Sequence, residues 1–119
     1  MGVSFKGIHH VSLNVDDVAQ ARAFYVDLLG MRLLERPDLG FPGVWLAAGE
    51  QEIHLLGIES GERAKEQHFA LLVEDLEQVI AHLEAHDTPC SKPSEIAGIC
   101  VQSFAHDPSG NMIEFHQRF

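Results

Sequence analysis

At 119 residues, with 45% hydrophobic and 22% charged residues, the chain has ordinary globular composition and is long enough to bury a core without staples. A net charge of −10, with eight Lys and Arg scattered along the chain, excludes a nucleic-acid surface, since phosphate contacts need clustered cations. No apolar run reaches the length of a membrane span, and the start (Met1-Gly2-Val3-Ser4-Phe5-Lys6) carries neither a signal-peptide core nor, because of Lys6, a myristoylation pattern, so a cytoplasmic protein without membrane partners is expected.

The first predicted element is a strand in which Val11, Leu13 and Val15 form an apolar row and His10, Ser12 and Asn14 a polar one. Asp16 or Asp17 then caps a helix whose apolar face carries Val18, Ala21, Phe24 or Tyr25, and Leu28. Leu29-Gly30 ends that helix, with glycine supplying the left-handed position beyond its C-terminus. Strands are expected near Met31–Glu35, Val44–Ala48 and Glu52–Leu56. After the polar stretch Gly57–Gln67 come a strand near Phe69–Val73, a helix from Leu76 to His86, and strands near Ile99–His106 and Met112–His116. Asp107-Pro108-Ser109-Gly110-Asn111 reads as the turn between the last two. A further strand falls somewhere in Thr88–Ile96, where Pro89 and Pro93 obscure its limits.

This order contains a repeat. The fourteen residues from His10 lie over those from His68 at an offset of 58, with His10/His68, Leu13/Leu71, Val15/Val73, Asp17/Asp75, Gln20/Gln78 and Ala23/Ala81 identical. Ile53-His54-Leu55-Leu56 lies over Ile113-Glu114-Phe115-His116 at an offset of 60. The chain therefore reads as one α+β domain, residues 1–119, built from two tandem βαβββ modules. They cover about 5–57 and about 67–118, and form a curled mixed sheet around a cleft.

Strand alternation separates the faces. Val11/Leu13/Val15, Ile53/Leu55, Phe69/Leu71/Val73 and Ile113/Phe115 turn to the helices, which leaves His10, His54, His68 and Glu114 together on the opposite face. Neutral imidazoles with a carboxylate suit one divalent transition metal: Zn, Ni, Mn or Fe. His10 and His68 occupy the same place in the repeat, which marks them as ligands over isolated structural histidines, and Glu114 joins them. His54 stays open between a fourth ligand and a pocket wall. His9 falls on the wrong row, and His82 and His86 fit an exposed helix face. Alternation and loop position add Ser12, Phe41, Trp45, Gln102 and Phe104 as pocket candidates, the Gly/Pro-rich loop 36–43 covering the cleft or serving as a contact edge. Cys90 and Cys100 lie outside any CxxC and read as two reduced thiols, Cys100 in a strand core. No glycine-rich phosphate loop is present, so no nucleotide cofactor is expected.

Four stretches, Ile8-His-His-Val-Ser-Leu-Asn-Val-Asp-Asp, Phe24-Tyr-Val-Asp-Leu-Leu-Gly-Met, His68-Phe-Ala-Leu-Leu-Val-Glu-Asp-Leu and Asp107-Pro-Ser-Gly-Asn-Met-Ile-Glu-Phe, resemble the vicinal oxygen chelate superfamily of glyoxalases, bleomycin-resistance proteins and extradiol dioxygenases. The resemblance implies the glyoxalase-like fold, a metal held at His10, His54, His68 and Glu114, and a homodimer whose sites are shared between chains. It also implies chelation of two neighbouring substrate oxygens, with Glu114 as ligand, base or both.

A metal-dependent lyase or isomerase acting on a small molecule with vicinal oxygens is the reading this favours. A non-catalytic drug-binding protein of the bleomycin-resistance type and a small extradiol-type dioxygenase are the alternatives. His54 stands where the glyoxalase pattern has a glutamate, which argues against lactoylglutathione lyase itself. The only tyrosine, Tyr25, lies in a helix, so a dioxygenase would need another proton donor such as His106 or His116. A fosfomycin-modifying enzyme is disfavoured by the scarcity of cationic candidates, although Ser12 would offer a hydroxyl.

Overall fold

The computed structural model describes residues 2–59 and 61–119, and the chain divides into two compact units, Met1–Glu59 and Ser60–Phe119. In the first, strand β1 (His10–Asn14) leads into helix α1 (Val18–Arg22), followed by β2 (Arg32–Leu34), β3 (Gly43–Ala48) and β4 (Gln51–Leu56). The strands form an open sheet in the order β1-β4-β3-β2, with β1 parallel to β4 and the other pairs antiparallel. Asp17 is the cap of α1, its carboxylate accepting from the Gln20 N–H at 3.0 Å.

Beyond Arg22 the helix widens into a π-helical stretch over Ala23–Leu28, where the Leu29 N–H reaches the Phe24 carbonyl five residues back. The extra residue in that turn brings both Phe24 and Tyr25 into the core, where the heptad-like spacing of an α-helix accommodates one of them. Gly30, at φ 77°, then turns the chain, and the Met31 N–H closes on the Tyr25 carbonyl at 3.0 Å.

The second unit repeats the plan with β5 (His68–Leu72), α2 (Leu76–Glu84), β6 (Ser94–Ile96), β7 (Cys100–His106) and β8 (Met112–Arg118), in the order β5-β8-β7-β6. Asp75 caps α2 as Asp17 caps α1, and Gln117 on β8 accepts from the Leu76 N–H at 2.7 Å, tying the helix start to the sheet. The helix stops at Glu84, short of the expected His86, because the Leu83 carbonyl takes the His86 and Thr88 N–H groups while Asp87 turns to φ 59°.

The uncertain strand resolves into the short β6, which begins just past Pro93. The segment before it is held on β7 by Ser91, which bonds the Phe104 backbone through both its N–H and its hydroxyl. Asp107 builds the expected turn: buried, it accepts from the Ser109 and Asn111 N–H groups and from the Asn111 amide. Cys100 is fully buried in β7 and Cys90 half-buried, both as free thiols.

In each unit the helix packs on the two central strands, α1 on β3 and β4, α2 on β7 and β8. Leu46, Ile53 and Leu55 are buried beneath α1, and Ala105, Ile113 and Phe115 beneath Leu76 and Leu83 of α2. The rows of β1 and β5 are only half-buried at Val11, Leu13, Phe69 and Leu71, as follows from their places at the sheet edges. Among the described residues, no helix is long and apolar enough to cross a membrane.

Candidate metal-binding site

The helix-free face of each sheet carries the polar row, and strand register decides which side chains meet on it. In the second unit, β5 and β8 pair Ala70 with Glu114, which sets Glu114 diagonally beside His68. The His68 Nδ1–H donates to the Glu66 carbonyl at 2.8 Å, and its Nε2–H to Glu114 Oε1 at 3.0 Å. The other carboxylate oxygen accepts from His116 Nδ1 at 2.7 Å. Phe104 meets the His68 ring edge-on, with centroids 5.3 Å apart. Glu114 is thus a carboxylate only 8% exposed, held between two imidazoles.

Acceptors at both His68 nitrogens favour the imidazolium form of the ring. The Glu66 carbonyl raises its pKa above the ordinary histidine value, desolvation opposes this, and Glu114 reinforces it. The pair fits a metal ion. Donors about 2.0–2.1 Å from one ion and at right angles to each other stand about 3 Å apart, the separation found here, so an ion can replace the Nε2 proton. The Nδ1–H to carbonyl bond is the orienting contact that ligating histidines generally have.

The first unit is arranged differently. Register pairs His10 with Glu52 and Ser12 with His54 across β1 and β4, and Trp45 with His54 across β3 and β4. Trp45, His54 and His10 stack as a column, with centroid spacings of 4.4 and 3.9 Å and interplanar angles of 9° and 16°. His54 is buried, and its Nε2–H donates to Glu52 Oε1 at 2.9 Å, since an ionised carboxylate can only accept. That bond is the main cause lowering the Glu52 pKa. Desolvation, followed by the neighbouring His54 and His9 rings, lowers that of His10 and favours the neutral form a metal needs.

The lone pairs of two nearly parallel stacked rings lie in separate planes, so His10 and His54 do not converge on one ion as they stand. One ring must leave the stack to do so. Among the described residues, no three His, Cys, Asp or Glu groups gather at metal-holding spacing.

The remaining pocket candidates divide by unit. Ser12 is exposed beside His54, and Trp45 covers the His54 ring. Phe41 lies in the loop before β3, its ring under the Arg36 guanidinium at 4.9 Å. Gln102 pairs with His116 and Phe104 with Glu114 across β7 and β8, so both share the face of the carboxylate. Glu52 escaped the sequence reading, and His116 entered it only as a proton donor for the dioxygenase alternative. The signal was there: Glu52-Ile-His54 and Glu114-Phe-His116 are the same carboxylate–x–histidine triplet on a period-2 strand, which keeps both polar groups on one face.

Comparison with known proteins adds four findings. The model of the Glyoxalase/Bleomycin resistance protein/Dioxygenase superfamily matches residues 7–115. The uncharacterized protein YaeR of Escherichia coli K12 is 26% identical over 98% of this chain and 99% of its own. The crystal structure of a glyoxalase family protein from Bacillus anthracis, itself described as putative, superposes with a TM-score of 0.89 at 27% identity over 100% of both chains. The fosfomycin resistance protein FosX of Listeria monocytogenes, solved as its E126Q mutant with Mn(II) and a dihydroxypropylphosphonic acid, shares the fold alone, with a TM-score of 0.86 at 13% identity over 98% of this chain and 95% of that one.

Proposed function

Because this chain belongs to the Glyoxalase/Bleomycin resistance protein/Dioxygenase superfamily, the vicinal oxygen chelates, we propose that it is a metal-dependent lyase or isomerase acting on a small molecule with two neighbouring oxygens. The observation that carries the reading is the His68–Glu114 pair, spaced at 3.0 Å for a shared ion and oriented by the Glu66 carbonyl. His10, His54, His68 and Glu114 are the residues that would hold a divalent Zn, Ni, Mn or Fe ion. Bound there, the ion would supply Lewis acidity towards the two substrate oxygens.

The rest falls to the chain. Glu114 is the proton-accepting carboxylate, and the His116 Nδ1–H that donates to its Oε2 at 2.7 Å steadies it. Phe104 packs against the His68 ring, and Gln102 offers an amide to substrate on the same face. The protein acts as a homodimer, the first unit of one chain completing the site with the second unit of its partner.

A second reading, a drug-binding protein of the bleomycin-resistance type, draws on the first unit. Its Trp45–His54–His10 column is an aromatic surface suited to stacking a ligand, and it holds no converged ligand pair. The dioxygenase alternative is disfavoured because Tyr25 is wholly buried in the helix layer.

Metal analysis separates the readings. Protein purified without a histidine tag is expected to carry, or take up from added salts, about one transition-metal ion per chain, and His68→Ala to lose it. Iron in that analysis would favour dioxygenase chemistry. Failure of the parent to bind any of the four metals would overturn the enzyme reading in favour of the binder.

A further inference from the structure

The two carboxylate–x–histidine triplets occupy corresponding strands but are displaced by one strand period. In the β1–β4 and β5–β8 registers the residue beside Ser12 is His54, whereas the residue beside Ala70 is Glu114. The imidazole of the first triplet therefore stands where the second has its carboxylate, and its own carboxylate, Glu52, falls one period earlier, directly beside His10.

From this we propose that Glu52 is the positioning residue of the first unit: it fixes His54 in the Nε2–H tautomer and so makes Nδ1 the nitrogen that binds the metal. The two units are thereby inverted. In the second the carboxylate is the ligand and an imidazole steadies it, and in the first the imidazole is the ligand and a carboxylate steadies it. The inference rests on the metal-site reading above for the word ligand, but not for the tautomer.

Three contacts leave His54 little freedom. Trp45 covers one ring face at 4.4 Å and His10 stacks on it at 3.9 Å. The Nε2–H is committed to Glu52 Oε1 at 2.9 Å. A neutral imidazole that donates from Nε2 carries its lone pair on Nδ1. The bond to Glu52 also makes that lone pair more basic, as an outer carboxylate does for a ligating histidine. His68 obeys the same logic with the nitrogens exchanged: its Nδ1–H is fixed by the Glu66 carbonyl, leaving Nε2 for the ion.

The same geometry resolves the failure of the stacked rings to converge. With Glu52 anchoring His54, the ring able to turn out of the column is His10, whose side chain is bonded, among the described residues, through the exposed contact to His9 at 2.9 Å.

The test uses the full chain in two arms. In metal-free protein near neutral pH, long-range nitrogen–proton NMR of the imidazoles reads the tautomer of His54, assigned by its loss in His54→Gln. The Nε2–H form is expected in the parent and in Glu52→Gln, whose amide oxygen can still accept. Glu52→Leu, which cannot, is expected to show a mixture or the Nδ1–H form. In the second arm, titration with Zn²⁺ or Mn²⁺ is followed by emission of Trp45, the only tryptophan. Glu52→Leu is expected to bind about 10–100-fold more weakly than the parent, with Glu52→Gln between them.

An Nδ1–H tautomer in the parent, or a His54 spectrum unchanged in a folded Glu52→Leu, overturns the proposal whatever the metal results. If the tautomer arm holds and the parent binds no metal, it is the metal reading that fails, and Glu52 remains the residue that orients His54. Equal metal affinity in the parent and Glu52→Leu overturns the link from tautomer to ligand.

Discussion

Glu114→Gln replaces a buried carboxylate by an isosteric amide at a position where two imidazoles converge on a single acid. The amide keeps the shape but loses the charge, and its NH₂ group points a donor at an imidazole that also donates. Losing an outer partner of a metal ligand typically weakens binding 10–100-fold, so loss of an anionic ligand itself is expected at the upper end or beyond, about 100-fold. With free metal at about 100 times the parent dissociation constant, binding stabilises the folded parent by about 2.7 kcal/mol. At that same concentration a variant binding about 100-fold more weakly gains only about 0.4 kcal/mol. For a chain of this size about 4 °C of melting temperature corresponds to each kcal/mol, so the metal-induced rise should be about 10 °C in the parent and about 2 °C in the variant. Differential scanning calorimetry with and without the metal measures this, and comparing each protein with its own metal-free form cancels any change in intrinsic stability. A rise in Glu114→Gln equal to the parent's would refute a ligand role for Glu114.

Two further outcomes follow from the same contacts. The His68 pKa is raised in the folded state, so the stabilisation from its protonated form is fully present below the unfolded value of about 6.5 and is lost as pH rises through the folded one. Metal-free parent should therefore lose more melting temperature than His68→Ala between about pH 6 and 8, while metal affinity rises over that interval as the Nε2 proton leaves; parallel pH profiles for the two proteins would contradict this. If sites are shared between chains, mixing folded His10→Ala with His68→Ala and allowing subunit exchange should restore metal binding, because one of the two sites in a mixed dimer then has both histidines. No recovery despite demonstrated exchange would place each site within one chain.

The glyoxalase-like architecture could be read from one dimension because its signals are local. The period-2 rows around His10 and His68, the aspartate caps at Asp17 and Asp75, the helix-ending Gly30 and the Asp107–Asn111 turn each depend on residues a few positions apart. The repeat then supplied what single strands cannot, a reason to treat two histidines 58 residues apart as equivalent.

Other features depended on contacts that alternation does not encode. The π-helical turn that buries both Phe24 and Tyr25 has no signal in local propensity, which favours the ordinary α-helix there. The helix end at Glu84 was set by the competition of His86 and Thr88 for one carbonyl. Strand pairing, above all, assigned the partners. Alternation could place His54 and Glu114 on the polar face. Only the register of β4 beside β1 and β3, and of β8 beside β5, decided that His54 would be stacked between Trp45 and His10 and that Glu114 would meet His68. The physical reason is that a side chain's face is fixed by its own backbone, while its neighbours are fixed by hydrogen bonds to strands that are distant in sequence.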